Sequence, residues 1–209
     1  MSPAPGPAPD QAYGIVLALD TSLDACSVAI VSGDTVLADL SERMQRGQAE
    51  RLAPMVREAA TQAGVAFSAL DRLAVTTGPG SFTGVRVGLS FARALALAIA
   101  KPCVGVSTLE ALALQDGEDD LRAALIETPG AAYCALYDNG APLIAPRAIA
   151  HGEHETVLRQ AVRGRPFRLI GPNAIVKAAA LAARAVRLDR RLYPPNPLYL
   201  RAPHVTLPP

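Results

Sequence analysis

A glycine-rich run at residues 77–86, TGPGSFTGVR, is the segment best suited to chemistry. It joins an apolar run of strand length to the start of a long helical pattern. Glycines adopt backbone conformations that are closed to other residues, and a helix N-terminus presents N–H groups that suit an anion. A tight strand-to-helix turn without a ligand explains the run equally well. If the run faces a nucleotide or another anion, the contributing residues are Gly78, Gly80, Ser81, Thr83 and Gly84.

Two common phosphate-binding motifs do not fit this run. A P-loop requires Lys followed by Ser or Thr after its last glycine, and the run contains no Lys. A dinucleotide-binding fingerprint requires G-x-G-x-x-G, whereas the spacing here is G-x-G-x-x-x-G. Neither motif can therefore be assigned.

A second candidate for phosphate chemistry is the tripeptide Asp20, Thr21 and Ser22, which ends the first predicted strand. In two-lobed ATPases the hairpin at this point approaches the nucleotide phosphates, and an acid there can hold a hydrated Mg²⁺. The same residue types are ordinary turn formers. Both interpretations stay open at this point.

Residues for other kinds of catalysis are scarce. The three histidines are His151, His154 and His204, and the sequence HGEH does not match HExxH in order or spacing. No Ser-His-Asp or Cys-His set can be assembled. We therefore assign no catalytic residue and no metal ligand.

Composition narrows the class of protein. Half of the 209 residues are hydrophobic, and the net charge of +1 provides no global attraction to nucleic acid or membrane. Residues 1–12 lack Lys, Arg and an apolar core, so they are predicted to be a flexible leader and not a signal peptide. The longest apolar helical stretch, residues 84–100, is too short to span a bilayer. We expect a cytoplasmic protein with three reduced cysteines and no membrane contact.

The predicted elements form one unit and a weaker copy of it. Apolar runs and helical patterns over residues 14–106 predict the order β-β-β-α-β-α-β. Residues 121–186 repeat most of this order, and the chain from residue 188 is irregular and rich in Pro. By analogy of fold this predicts an α/β protein with two ribonuclease H-like lobes, as in the actin-like ATPase (ASKHA) superfamily. We place the first lobe at residues 13–107 and a smaller second lobe, with an irregular C-terminal tail, at residues 108–209.

The two helices of the first lobe are predicted to bind a partner. Glycine and alanine recur every four residues along the second helix, and such a row lets another helix approach closely. The alternative is that this row and the neighbouring row of large side chains are both buried within the lobe. The predicted interface residues are Leu52, Met55, Val56 and Ala59 on the first helix, and Gly84, Gly88, Ala92 and Ala96 on the second.

Several segments together resemble the TsaB (YeaZ) family. The resemblance is specific from residue 15 to about residue 109 and looser beyond. The matching segments are LALDTS (17–22), CSVA (26–29), LAPMV (52–56), GPGSFTGVRVG (78–88), GVSTL (105–109) and PLYLR (197–201).

This resemblance implies a role in tRNA modification. Members of the family pair with the paralogous transferase TsaD, and with the ATPase TsaE, to make threonylcarbamoyladenosine in tRNAs that read codons starting with A. The resemblance implies a non-catalytic scaffold that pairs with TsaD through the two helices and meets tRNA through the complex. A homodimer through the same helices is a further implication. No cofactor is expected on the chain alone, and ATP or ADP and a metal are expected only in the complex with TsaD and TsaE.

Two alternatives from other classes are a stand-alone ATPase or phosphotransferase of the ASKHA fold and a glycoprotease-type metallopeptidase. The HxxxH metal pair of the catalytic paralogue does not occur in this chain, which argues against the peptidase. The sequence Glu127-Thr128-Pro129 replaces the usual Asp-Ala-Arg of the family at the start of the second lobe. It also lacks the glycines of a phosphate loop, which argues against the stand-alone ATPase.

Overall fold

The computed structural model describes residues 14–200. The leader predicted at residues 1–12, His204 and the last residue of the PLYLR segment lie outside the described residues. Two β-sheets organise the described part of the chain, one in each half of the sequence.

The first sheet has five strands in the order β3-β2-β1-β4-β5. Strands β1, β2 and β3 form an antiparallel meander, and β4 and β5 run parallel to β1. The predicted order of elements in this half is therefore confirmed. The strands are β1 (Ile15–Asp20), β2 (Ala25–Ser32), β3 (Thr35–Arg43), β4 (Arg72–Thr76) and β5 (Cys103–Val106).

Helices α1 (Gln48–Ala63) and α2 (Phe82–Ala98) cover one face of this sheet. Helix α1 ends at Gly64, which adopts a left-handed conformation with a φ of 64° that suits glycine. Pro54 lies within α1.

The side chains of α1 and α2 that were predicted to face a partner instead face the first sheet. Leu52, Met55, Val56 and Ala59 are buried against the first sheet, and so are Gly84, Gly88, Ala92 and Ala96. A Cβ atom added to Gly88 would contact Leu19 and Val75, so the sheet itself occupies the space that the small row leaves. The assignment of faces is therefore wrong, because the close approach that small residues allow serves packing of the helix on its own sheet.

The second sheet has four strands in the order β8-β7-β6-β9 and repeats the first sheet without its fifth strand. Its helices are shorter than those of the first half. The elements are α3 (Thr108–Leu114), β6 (Leu121–Thr128), β7 (Ala131–Asp138), β8 (Ala141–Ile149), α4 (His154–Val162), β9 (Arg168–Ile170) and α5 (Ala178–Ala185).

Helices α3 and α5 lie between the two sheets and join them into one core. Alternate residues of β1 point to opposite sides, so Leu17 and Leu19 meet α1 and α2 while Val16 and Ala18 face the shared layer. From the second sheet, residues such as Ile126 enter the same cluster. Burial on both faces explains the continuous apolar character of the first strand.

Helix α4 covers the outer face of the second sheet, so the layers alternate between helices and sheets throughout. Within residues 14–200, no helix has both the length and the hydropathy needed to cross a bilayer.

The chain after α5 has no helix or strand up to residue 200, as predicted, but it is held in place. The Gly105 N–H donates to the Tyr193 carbonyl at 3.0 Å, and the Leu198 N–H donates to the Thr77 carbonyl at 2.8 Å. Residues 193–199, which we call the C-terminal strap, therefore cross the carboxyl ends of β4 and β5.

Candidate functional site

Asp20, the acid of the second candidate segment, lies in the protein interior. Its side chain is fully buried, and its Oδ1 accepts hydrogen bonds from the Ser22 N–H (3.1 Å), the Ser22 hydroxyl (2.5 Å) and the Thr76 hydroxyl (2.5 Å). Burial raises the pKa of this carboxyl above its ordinary value, and the hydrogen bonds only partly oppose that rise. Asp20 therefore organises the loop and does not face a cleft.

The neighbouring residues tie three segments together. The Thr21 hydroxyl donates to the Gly84 carbonyl at 2.7 Å, and the Ser81 N–H donates to the Ser22 carbonyl at 2.8 Å. The Thr108 hydroxyl, at the start of α3, donates to the Ser22 hydroxyl at 3.1 Å. These bonds lock the loop after β1 onto the glycine-rich run and onto the first helix of the second half.

The glycines of the run allow this contact between two backbones. A Cβ atom on Gly80 would overlap the Ser22 carbonyl oxygen, and one on Gly84 would overlap the Thr21 carbonyl oxygen. The Gly84 N–H is capped by the Ser81 hydroxyl at 3.3 Å. Two of the N–H groups that the sequence suggested for an anion are thus already bonded within the protein. For this part of the run, the alternative of a tight turn is the correct one.

A cleft of about 510 Å³ opens beside these loops, between the two halves of the chain. Of the predicted residues, Ser22, Gly80 and Ser81 line it, while Asp20 and Thr21 are buried beneath and do not. Gly78 is also buried, and Thr83 is exposed on the first turn of α2.

Charge in the cleft does not favour a phosphate. Its ionisable lining consists of two acids, Asp24 and Glu127, and one base, Arg43. The Arg43 guanidinium bridges the cleft to the Asn173 carbonyl, with nitrogen–oxygen distances of 3.4 and 3.5 Å. An incoming polyphosphate would meet more negative than positive charge.

The three cysteines form no disulfide with one another. All three are free, and Cys26 and Cys134 are buried. Burial raises the pKa of Cys26 to about 11 and that of Cys103 to about 12. Because the thiolate is the reactive form, these thiols are poor nucleophiles.

Sequence reasoning missed the cluster at the start of α2. Phe82 lies 6.1 Å from Tyr199 between ring centroids, and the Arg86 guanidinium stacks on Phe82 at 3.6 Å. Phe82 and Arg86 belong to the glycine-rich segment, but Tyr199 follows more than a hundred residues later. No local pattern signals that pairing, because the C-terminal strap brings Tyr199 into place.

The comparisons with known proteins find relatives that are named for the synthesis of threonylcarbamoyladenosine in tRNA. A family model described as TsaD, tRNA N6-adenosine threonylcarbamoyltransferase, matches residues 40–138. The chain is 38% identical to the tRNA threonylcarbamoyladenosine biosynthesis protein TsaB of Escherichia coli, over 69% of this chain and 62% of that relative. The chain thus spans less than two thirds of that relative's length.

Two further matches cover more of the chain. An uncharacterised protein of Mycobacterium tuberculosis is 33% identical over 90% of this chain and 92% of its own length. The structure of YeaZ from Pseudomonas aeruginosa superposes with a TM-score of 0.68 at 29% identity, covering 90% of this chain and all of that one. The likeness therefore extends well beyond the glycine-rich segment.

Proposed function

Because the chain belongs to the TsaB (YeaZ) family, we propose that it is the non-catalytic partner subunit of a TsaD-type transferase. In this role it supports the transfer of a threonylcarbamoyl group to adenosine in tRNAs that read codons starting with A. The ATPase TsaE is the third protein of the complex. Binding to tRNA occurs through the complex, in the cytoplasm, and ATP or ADP and the metal belong to the complex and not to this chain alone.

The observation that carries the non-catalytic role is the burial of Asp20. An ATPase of the actin-like type needs an acid at this place to approach Mg²⁺ and the phosphates. Here the carboxyl is buried: its Oδ1 accepts from Ser22 and Thr76, and its Oδ2 has no hydrogen-bond partner within residues 14–200. The loop that holds it packs against Gly80 and Gly84. The carbonyl oxygens of Ser22 and Thr21 thus lie directly against the glycine-rich run, which supports a packing role for both segments.

The packing between the two halves supports the same conclusion. We treat residues 13–107 and 108–209 as two ribonuclease H-like lobes of the actin-like superfamily. Enzymes with two such lobes close them around the nucleotide. In this chain, α3 and α5 fill the space between the sheets with a continuous apolar core, which opposes hinge motion.

The proposed partner surface consists of the outer sides of α1 and α2. Their inner sides pack against the first sheet, whereas their outer sides carry exposed residues such as Arg57 and Leu97. A homodimer in the absence of the transferase would use the same surface.

The test is co-purification of the chain with the TsaD-type transferase of the same organism, followed by reconstitution of threonylcarbamoyladenosine synthesis with TsaE, ATP and tRNA. We expect the chain to bind the transferase, to be required for modification and to turn over no ATP when alone. ATP turnover by the purified chain would instead favour the stand-alone ATPase. Modification at full rate without the chain would refute the partner role.

A further inference from the structure

One side of α2 faces solvent and carries five exposed residues in a line. Their spacing of four, four, three and four residues places them on a single helix face. Large apolar side chains stand at both ends, where Phe82 is 56% and Leu97 is 83% exposed. We call Phe82, Arg86, Ser90, Arg93 and Leu97 the outer stripe.

Arg86 is held in a fixed position within the outer stripe. Its guanidinium lies 3.6 Å from the centre of the Phe82 ring, and its Nε donates to the Tyr199 hydroxyl at 3.3 Å. Its two terminal nitrogens make no hydrogen bond to any residue between 14 and 200. A planar guanidinium held in this way is preorganised to receive a carboxylate through both nitrogens.

Neither arginine of the outer stripe has an ion-pair partner within residues 14–200. Helix α2 contains no Asp or Glu, and Arg93 forms no ion pair within residues 14–200. The carboxylates of Glu58, on α1, and Glu42, at the end of β3, are already held by Arg51. A surface with two arginines that lack ion-pair partners is complementary to a partner surface that carries carboxylates.

We propose that Arg86 and Arg93 determine partner choice by selecting a protein surface with carboxylates opposite them over a second copy of this chain. In an isologous dimer centred on Ser90, Arg86 of one copy would face Arg93 of the other, and like charges at an interface are repulsive. Two arginines flanked by Phe82 and Leu97 are better suited to binding a protein than RNA, because RNA binding requires many basic residues in contact with phosphates. This inference rests on the proposed function, and it names the chemistry of the partner's surface.

The experiment measures the affinity of the full chain for the TsaD-type transferase by calorimetry, at low and at physiological salt. The charge reversals Arg86→Glu and Arg93→Glu are compared with Arg147→Glu, an exposed position on β8 in the second sheet. We expect each stripe variant to weaken binding at least about tenfold, whereas the control binds as the wild type does. The neutral variant Arg93→Gln should bind the transferase with an affinity between those of Arg93→Glu and the wild type. The melting temperatures of the variants and the wild type should agree, because both arginines are exposed.

Other outcomes separate the inference from the proposed function. If Leu97→Asp abolishes binding while both charge reversals bind normally, the surface is correct and the charge selection is refuted. If the wild type binds no transferase, the proposed function fails and the inference with it. Tight self-association of the wild type in sedimentation, lost in Leu97→Asp, would overturn the preference against a second copy. Loss of tRNA binding in the arginine variants, with transferase binding intact, would make the stripe an RNA site.

Discussion

The buried guanidinium of Arg72 donates a hydrogen bond of 2.5 Å from Nη1 to the carbonyl oxygen of Ala185, at the end of α5. The same nitrogen donates to the Leu188 carbonyl at 2.6 Å. A strand of the first sheet thus caps the last turn of a helix from the second half, where carbonyl oxygens lack partners within the helix. This contact joins the two halves of the chain through a charged group that is 1% exposed.

The variant Arg72→Met should lower the free energy of unfolding by about 2–4 kcal/mol, because hydrogen bonds to a buried charge are lost and two carbonyl groups are left behind. Urea denaturation measures the change. Arg187→Met, at an exposed position close to the same helix end, is the matched control and should stay within about 0.5 kcal/mol of the wild type. Equal stability of Arg72→Met and the control would show that the capping contact contributes little.

Gly84→Ala tests whether the glycine-rich run serves close packing. The new Cβ would overlap the Thr21 carbonyl oxygen, so α2 or the loop must shift. We expect a loss of about 1–3 kcal/mol in stability from overpacking, although Ala favours a helix more than Gly does. Ser90→Ala, on the exposed side of the same helix, provides the control in thermal denaturation. A Gly84→Ala protein as stable as that control would contradict the packing role.

The raised pKa of Asp20 predicts a pH dependence of stability. Burial raises the folded-state pKa above the ordinary value of 3.8, so the folded protein binds this proton more tightly than the unfolded chain. The contribution of Asp20 to stability is therefore fully present below 3.8 and is lost as pH rises through the folded-state pKa.

Asp20→Asn removes this titration and keeps the Oδ1 acceptor. We expect the stability of the wild type relative to Asp20→Asn to fall as pH rises above the ordinary pKa of 3.8. Urea denaturation at several pH values measures it. Parallel stability profiles of the two proteins would mean that Asp20 has the same pKa in the folded and unfolded states.

Gly105→Ala should release the C-terminal strap. A Cβ atom there would lie 2.7 Å from the Pro195 Cα and 2.8 Å from the Pro194 carbonyl oxygen. We expect faster hydrogen exchange at the Leu198 amide, which donates to the Thr77 carbonyl, with the first sheet still protected. Gly171→Ala is the control, because a Cβ atom at that glycine meets no atom within 4 Å. Unchanged exchange at Leu198 would show that the strap tolerates displacement at Gly105.

The sequence by itself determined the order of the elements. Period-two and period-3.6 patterns are local, and glycines such as Gly64 mark the ends of helices wherever they stand. The segments that resemble the TsaB family are also local, because each is a short contiguous run such as GPGSFTGVRVG at residues 78–88.

Only the tertiary structure decided which face of each element is covered. Gly88 and Ala92 form a row that could meet a partner helix or the parent sheet, and periodicity is identical in the two cases. Asp20 at a strand end could face a cleft or the interior, and the choice depends on Thr76 and on the glycine-rich run more than fifty residues away. The pairing of Tyr199 with Arg86 likewise depends on the path of the C-terminal strap. Contacts between distant residues follow from how the sheets and helices pack, and no local pattern encodes that packing.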